Sequence, residues 1–158
     1  MTSISRAALV ALMTVALLSC GGKEVTADGF VSAVGATCRN ANEQLDLIPS
    51  PSPAGRGDEQ EALADYLQRA LRVNEQAADS IRALAIPEDL SPDRDALVEA
   101  MTEANEGLKA AGAAAANGDQ DALGSAVAAM AAGQNRFRSI AQRLGIEPCV
   151  SGGVPTSP

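Results

Sequence analysis

Apolar residues recur in four separate stretches, three or four residues apart, which is the spacing of one face of an amphipathic helix. The stretches cover residues 30–48, 63–84, 97–115 and 123–144. Because the spacing averages close to 3.5 and most of the intervening segments are short, the pattern predicts an all-α fold. The expected architecture is an antiparallel up-down four-helix bundle.

Helix-starting and helix-stopping residues separate the first two stretches. Thr26 or Asp28 is placed to cap the first helix, and Pro49 ends it because proline cannot continue a helix. A Pro/Gly/Ser linker is expected over residues 49–57. Pro87 ends the second helix, since the residue before a proline is driven out of helical geometry.

The last two predicted helices have their own boundary signals. Ser91, followed by a proline, is typical of an N-cap that starts the third helix. Gly118 closes that helix, and Asp119 or Gln120 opens the fourth almost at once. Gly145 ends the fourth helix, and Ile146 is expected to make the hydrophobic contact that often follows such a cap.

Two polar residues interrupt the apolar stretches. Asn74 lies on the second stretch and Gln134 on the fourth. They are candidates for a polar pair inside the core that sets the register of the helices, and contact with a ligand is the alternative role.

Composition supports a helical fold and narrows the function. About a fifth of the chain is alanine, the best helix former, and aromatic residues are 2%. The formal net charge is −8, and the sequence has no basic cluster. Nucleic acid is therefore not an expected partner, since its phosphates are bound mainly by Lys and Arg.

The first twenty residues have a pattern of their own. Arg6 precedes an apolar run from Ala7 to Leu18 that is too short to span a bilayer as a helix. The run leads into Leu17-Leu18-Ser19-Cys20. This segment resembles the lipobox of bacterial lipoproteins, with an aliphatic residue three positions before the cysteine and a small residue directly before it. A secretory leader with a chance cysteine is the alternative.

The resemblance implies that residues 1–19 are a type II signal peptide and that Cys20 carries a diacylglycerol on its sulfur. The protein would be extracytoplasmic and anchored to the cell membrane, because two acyl chains (palmitate, for example) anchor stably. Residues 20–27 would be the tether, 28–149 the helical domain and 150–158 a disordered tail. The domain is similar to small alanine-rich helical lipoproteins of high-GC Gram-positive bacteria, and this likeness implies no activity.

If Cys20 carries lipid, Cys38 and Cys149 remain as a pair. An oxidising compartment favours a disulfide between them, which would close the domain from its start to its end. The bridge requires the chain after the fourth helix to fold back along the first. Two buried free thiols or an intermolecular bridge are the alternatives.

The sequence contains no set of residues that indicates a reaction. It has no histidine, so serine and cysteine nucleophiles with a histidine base are excluded, as is a His-ligated metal or haem. Glu99, Glu103 and Glu106 are interpreted as a solvated helix face, and Met101 and Met130 as core residues rather than copper ligands. No catalytic residue, cofactor or metal site is expected.

Residues 119–124 faintly resemble a calcium loop, with acids at the first and third positions and glycine at the sixth. Leu123 stands at the fifth position and Met130 at the twelfth, where the loop needs oxygen ligands. A helix cap is the preferred interpretation of Asp119 and Asp121.

The functional expectation is a non-catalytic binding or interaction module at the cell envelope. The membrane would be contacted through the diacylglycerol on Cys20, and the other partner would be an envelope protein or a ligand. A carrier of a small apolar ligand in the bundle core is the alternative, made plausible by the many alanines, and an enzyme is a remote third.

Overall fold

The computed structural model describes residues 26–51 and 59–151, and these ranges form helices and no strand. The helices are α1 (Ala27–Asp46), α2 (Glu59–Arg82), α3 (Ser91–Asn117), α4 (Gln120–Arg143) and the short α5 (Glu147–Ser151). The predicted all-α class is confirmed, and each periodic stretch coincides with one of the four long helices. The leader, Cys20, the tether up to residue 25, linker residues 52–57 and tail residues 152–158 lie outside the described residues.

Helix α1 begins as its sequence predicts. The Thr26 hydroxyl oxygen accepts a hydrogen bond from the Gly29 N–H at 3.1 Å, which satisfies one of the free donors of the first turn. Phe30, Val34 and Cys38 then turn inward and are buried. The helix ends at Asp46, three residues before the first proline of the linker.

The predicted N-cap of α3 is wrong. A 3-10 turn over Glu88–Leu90 runs directly into the helix, so Ser91 already has helical dihedral angles, φ −53° and ψ −45°. Leu90 precedes the first helical residue, and no side chain caps this end. A serine side chain caps a helix only from the extended conformation, which the preceding turn denies to Ser91.

The turn between α3 and α4 follows the sequence signals closely. Gly118 adopts the left-handed conformation with φ +67°, which costs glycine little because it lacks a Cβ. The Asp119 carboxylate then accepts a hydrogen bond from the Ala122 N–H at 3.0 Å and caps α4. The interpretation of this acid as a helix cap is confirmed.

Helix α4 packs most of its predicted apolar residues against the core, but it also buries small residues beside them and leaves one valine exposed. Val127 is one of the regularly spaced apolar residues of the stretch 123–144, and it is 43% exposed. Ala126, Gly133 and Ile140 are buried. Two of these three residues are small, and they allow α3 to approach closely. The close contact with α3 is therefore made by small residues of α4, while Val127 remains exposed.

Helices α3 and α4 touch through their backbones at two points. A Cβ built on Gly107 would lie 2.5 Å from the Met130 nitrogen, and one built on Gly133 would lie 2.5 Å from the Ala104 nitrogen. Residue numbers rise along α3 from one point to the other while they fall along α4, so this pair of helices is antiparallel. The small residues at these two points allow the close approach.

The chain after α4 turns back onto α1. Gly145 has φ +72°, the Ile146 N–H donates to the Ala141 carbonyl at 2.9 Å, and the Ile146 side chain is buried. Helix α5 then packs against both α4 and α1. Val150 and Ser151, which the sequence assigned to the tail, are the last two residues of α5.

The core consists of two clusters of buried side chains. The larger one contains Phe30, Ile81, Leu97 and Ile140 together with both disulfide cysteines. The smaller one is formed mainly by alanines and leucines of α2, α3 and α4. Helix α3 packs against both α2 and α4, while α1 packs against α2 and α5. The surface between the two clusters is the position of the candidate site.

Candidate functional site

A disulfide joins Cys38 of α1 to Cys149 of α5, with 5.2 Å between the two Cα atoms. The predicted pairing is confirmed, and so is the fold-back of the chain along α1 that it requires. The Asn42 side-chain amide donates to the Pro148 carbonyl at 3.2 Å, and a Cβ on Gly35 would just touch Ile146 and Pro148. The C-terminal segment is thus fastened to the middle of α1 by one covalent bond, a hydrogen bond and packing.

A cleft of about 100 Å³ opens beside the disulfide, where the two core clusters meet. All four long helices and α5 contribute to its walls, and it is partly open to solvent. Its lining consists of Cys38, Ala41, Asn42, Leu45, Asn74, Ala77, Met101, Ala104, Asn105, Met130, Gln134, Phe137, Arg138 and Cys149. A concave, mainly apolar surface with a few polar groups is the usual form of a small-molecule site.

Each long helix contributes one side-chain carboxamide to the cleft. These groups belong to Asn42, Asn74, Asn105 and Gln134, and all four residues are half-buried. Asn42 is held by its hydrogen bond to the α5 backbone. Within the described ranges, none of the side-chain hydrogen bonds involves Asn74, Asn105 or Gln134. Three amides at the cleft therefore keep their donors and acceptors for another partner.

The predicted polar pair, Asn74 and Gln134, is brought to this cleft. No hydrogen bond joins the two side chains in the part of the chain that the structure describes. Sequence reasoning missed Asn42 and Asn105, each of which directly follows an alanine of a predicted apolar stripe. The signal that could have found them is their position: a residue that directly follows an apolar-stretch residue lies about 100° further round the helix, at the edge of the buried face.

The wall of the cleft carries a positive charge and no negative one. Arg138 lines it and is half-buried, and within the described residues no Asp or Glu is part of the lining. The Arg138 guanidinium donates to the Asn135 side-chain oxygen at 3.0 Å and forms no ion pair with any acid of the described residues. Since the whole chain carries a net charge of −8, this is a local reversal of sign.

The apolar part of the cleft comes from thioether and aromatic side chains. Met101 and Phe137 pack against the larger core cluster, and Met130 packs against the smaller one. The interpretation of both methionines as core residues is confirmed, although each also has a surface turned toward the cleft. The described residues hold no group of three His, Cys, Asp or Glu side chains able to bind a metal ion.

The acidic face of α3 lies outside the cleft. Arg136 of α4 donates to carboxylate oxygens of both Glu99 and Glu103, and all three side chains are largely exposed. Glu106 is also exposed. The interpretation of these acids as a solvated helix face is confirmed, with Arg136 as a cross-helix partner. Exposed ion pairs of this kind contribute little to stability.

No protein-family model, curated protein or solved structure matches this chain. Among the described helices, none has the length and apolar character needed to cross a membrane.

Proposed function

We propose that this protein is a lipid-anchored, extracytoplasmic binding protein whose helical domain holds a small molecule in the cleft beside the disulfide. The domain acts without catalysis, as a binding module. Cys20 carries the diacylglycerol that attaches the protein to the cell membrane, and the tether separates the domain from the lipid surface.

One observation carries the binding role: Asn74, Asn105 and Gln134 line one mainly apolar cleft without a hydrogen-bond partner from the described residues. No buried side-chain nitrogen or oxygen of the described residues lacks a hydrogen-bond partner, so these unpartnered amides are in contact with solvent, and a ligand would replace water as their hydrogen-bond partner. Amides from three different helices converge on one space. A ligand with polar groups on an apolar body satisfies them together.

The described surface favours a small ligand over a protein partner. Its exposed large apolar side chains are Leu47, which is 82% exposed, and Val127. Leu47 lies just beyond the end of α1 and Val127 lies on α4, and two such side chains are fewer than a protein interface contains. A protein of the cell envelope is the second candidate partner, and native mass spectrometry distinguishes it from a small ligand.

The proposed function also depends on how the four long helices are arranged. We infer an antiparallel up-down bundle, with α5 in the gap between α4 and α1. Support comes from the antiparallel contacts of α3 with α4. The proximity of Gly112 to Leu67, and of Gly118 to Gln60, indicates the same relation between α2 and α3. Such a bundle turns one residue of each helix toward a shared interior site.

Native mass spectrometry of the full chain, purified as the cell makes it, tests the binding role. We expect a bound small molecule to appear as an added mass. Ala41→Leu, which fills part of the cleft, should remove that mass. Ala116→Leu, the same change at an exposed position of α3 outside the lining, should leave it unchanged. The absence of an added mass, together with a defined protein captured by crosslinking in cells, would favour the envelope-protein alternative.

The anchor is tested separately by labelling cells with a radioactive or clickable fatty acid. The wild-type chain should incorporate the label and partition with the membrane fraction. Cys20→Ser should abolish both, whereas Cys38→Ser should still be labelled. Equal labelling of wild type and Cys20→Ser would refute the lipidation proposal.

A further inference from the structure

We propose that the cleft selects a small organic anion, a carboxylate carried on an apolar body about the size of a benzene ring. This inference rests on the proposed binding function and names the class of ligand for the same site. It follows from the charge, the volume and the polar groups of the cleft, taken in turn.

The charge of the cleft lining favours an anionic ligand over a cationic one. Arg138 is a half-buried residue of the lining, it forms no ion pair within the described residues, and the lining holds no carboxylate from those residues. Among the other described arginines, Arg39 and Arg72 also form no ion pair but lie outside the lining, and the remaining ones each pair with an acid (Arg69, Arg82, Arg94, Arg136 and Arg143). A guanidinium is always charged, and its fork of N–H donors matches the two oxygens of a carboxylate.

Volume limits the apolar body. An apolar cavity of about 150 Å³ in a folded protein accepts a benzene ring. This cleft has about 100 Å³ and is open on one side, so a single ring or a branched chain of similar size fits with one end toward solvent. Met101, Met130 and Phe137 supply the apolar contact surface, and flexible thioethers adapt well to ligands of different shape.

The amides supply the remaining polar contacts without adding charge. Each carboxamide offers two N–H donors and a carbonyl acceptor. Asn74, Asn105 and Gln134 therefore satisfy a second carboxylate oxygen and any hydroxyl or amide group on the same ligand. A neutral molecule would use these amides and leave Arg138 without an anionic partner, which is why the anion is expected to bind more tightly.

Three probes of nearly equal size test the charge selectivity: benzoate, benzamide and benzylamine. Dissociation constants are measured by ligand-observed NMR with the purified full chain. Benzoate should bind about tenfold more tightly than benzamide, in line with the greater strength of a hydrogen bond to a charged group. Benzylamine should bind more weakly than either, because the cleft offers its ammonium group no carboxylate.

Substitutions identify the source of the selectivity. Arg138→Gln should make benzoate and benzamide bind within about twofold of each other. Arg72→Gln removes the same charge at an exposed position of α2 outside the cleft and should keep the tenfold preference. Arg138→Lys retains the positive charge and should keep the order of the three probes, which supplies a folded comparison should Arg138→Gln prove unstable.

The outcomes separate this inference from the proposed function. Equal affinity for benzoate and benzamide, tightest binding of benzylamine, or no binding of any probe would overturn the carboxylate assignment. A bound mass that Ala41→Leu removes would still support the binding function in each of those cases. Loss of the benzoate preference in Arg72→Gln would also overturn the assignment, because it would trace the preference to net charge rather than to Arg138.

Discussion

The contact between α3 and α4 leads to a sharp prediction for Gly133→Ala. In an exposed helix interior, replacing glycine by alanine stabilises a protein by about 0.5–1 kcal/mol, since alanine loses less conformational entropy on folding. At Gly133 the new Cβ would lie 2.5 Å from the Ala104 nitrogen and 3.0 Å from the Ala100 carbonyl oxygen. Ordinary van der Waals contact begins near 3.4 Å, so the helices must separate locally by about 0.9 Å.

The atoms that obstruct this Cβ belong to the helix backbone, so no change of rotamer can relieve the overlap. Overpacking of a well-packed core costs about 1–3 kcal/mol, and a backbone obstruction belongs at the upper end of that range. After subtraction of the gain in helix propensity, we expect Gly133→Ala to lower the free energy of unfolding by about 2 kcal/mol.

Gly124 provides the matched control on the same helix. A Cβ there would meet no atom within 4 Å, so Gly124→Ala should raise the free energy of unfolding by about 0.5–1 kcal/mol. Urea unfolding followed by circular dichroism at 222 nm measures both changes. With a slope of about 1–3 kcal/mol per molar urea, the two variants should have midpoints that differ by about 1 M or more.

The reasoning about the helix contact would be refuted by a Gly133→Ala variant at least as stable as the Gly124→Ala variant with an unchanged slope. A second test uses Gly107→Ala, whose Cβ would meet the Met130 backbone. Because either substitution separates the same two helices, the double variant should lose clearly less stability than the sum of the two single losses.

The remaining predictions concern the disulfide and the helix ends. Removing the disulfide by Cys38→Ser or Cys149→Ser should lower the free energy of unfolding by up to about 4–5 kcal/mol, since the bond closes a loop with a sequence separation of 111. Dithiothreitol should destabilise the wild type similarly in a thermal scan; an unaffected melting temperature would contradict this. Asp119→Ala should cost about 1 kcal/mol in urea unfolding, because it removes a helix cap, whereas Ser91→Ala should change stability by less than about 0.5 kcal/mol. Equal losses of stability at these two positions would mean that Ser91 does cap α3, contrary to this prediction. Gly118→Ala should cost about 1–2 kcal/mol, because alanine is strained at φ +67°, and a neutral result would refute that reading of the turn.

Local signals predicted most helix boundaries because the interactions that set them span only a few residues. Thr26 and Asp119 cap their helices as expected, and Gly118 and Gly145 take left-handed conformations at the helix ends. Ser91 failed for an equally local reason: a 3-10 turn joins the helix and removes the extended residue that a cap requires. The periodic stretches located all four long helices because burial on one face imposes its spacing on the sequence.

The candidate site was only partly predictable. Asn74 and Gln134 stood out because they interrupt apolar stripes, and both line the cleft. Asn105 and Arg138 each directly follow an apolar residue of their stretch, a position at which most polar residues face water. Whether such a residue faces solvent or a cleft depends on the rotation of its helix, and that rotation is set by the neighbouring helices.

The sequence by itself determined the helical class and the extent of the four long helices, because these follow from short-range geometry. It predicted the pairing of Cys38 with Cys149 only on the premise that Cys20 carries lipid, and the structure supplied the bond. Tertiary structure alone decided the rotation of α4, which leaves Val127 exposed and places Gly133 against the α3 backbone. It also decided that residues 147–151 form a helix packed against α1, and that amides from four helices share one cleft. The physical reason is the same in each case: close packing is a property of two surfaces together, and neither surface is encoded in the periodicity of one helix.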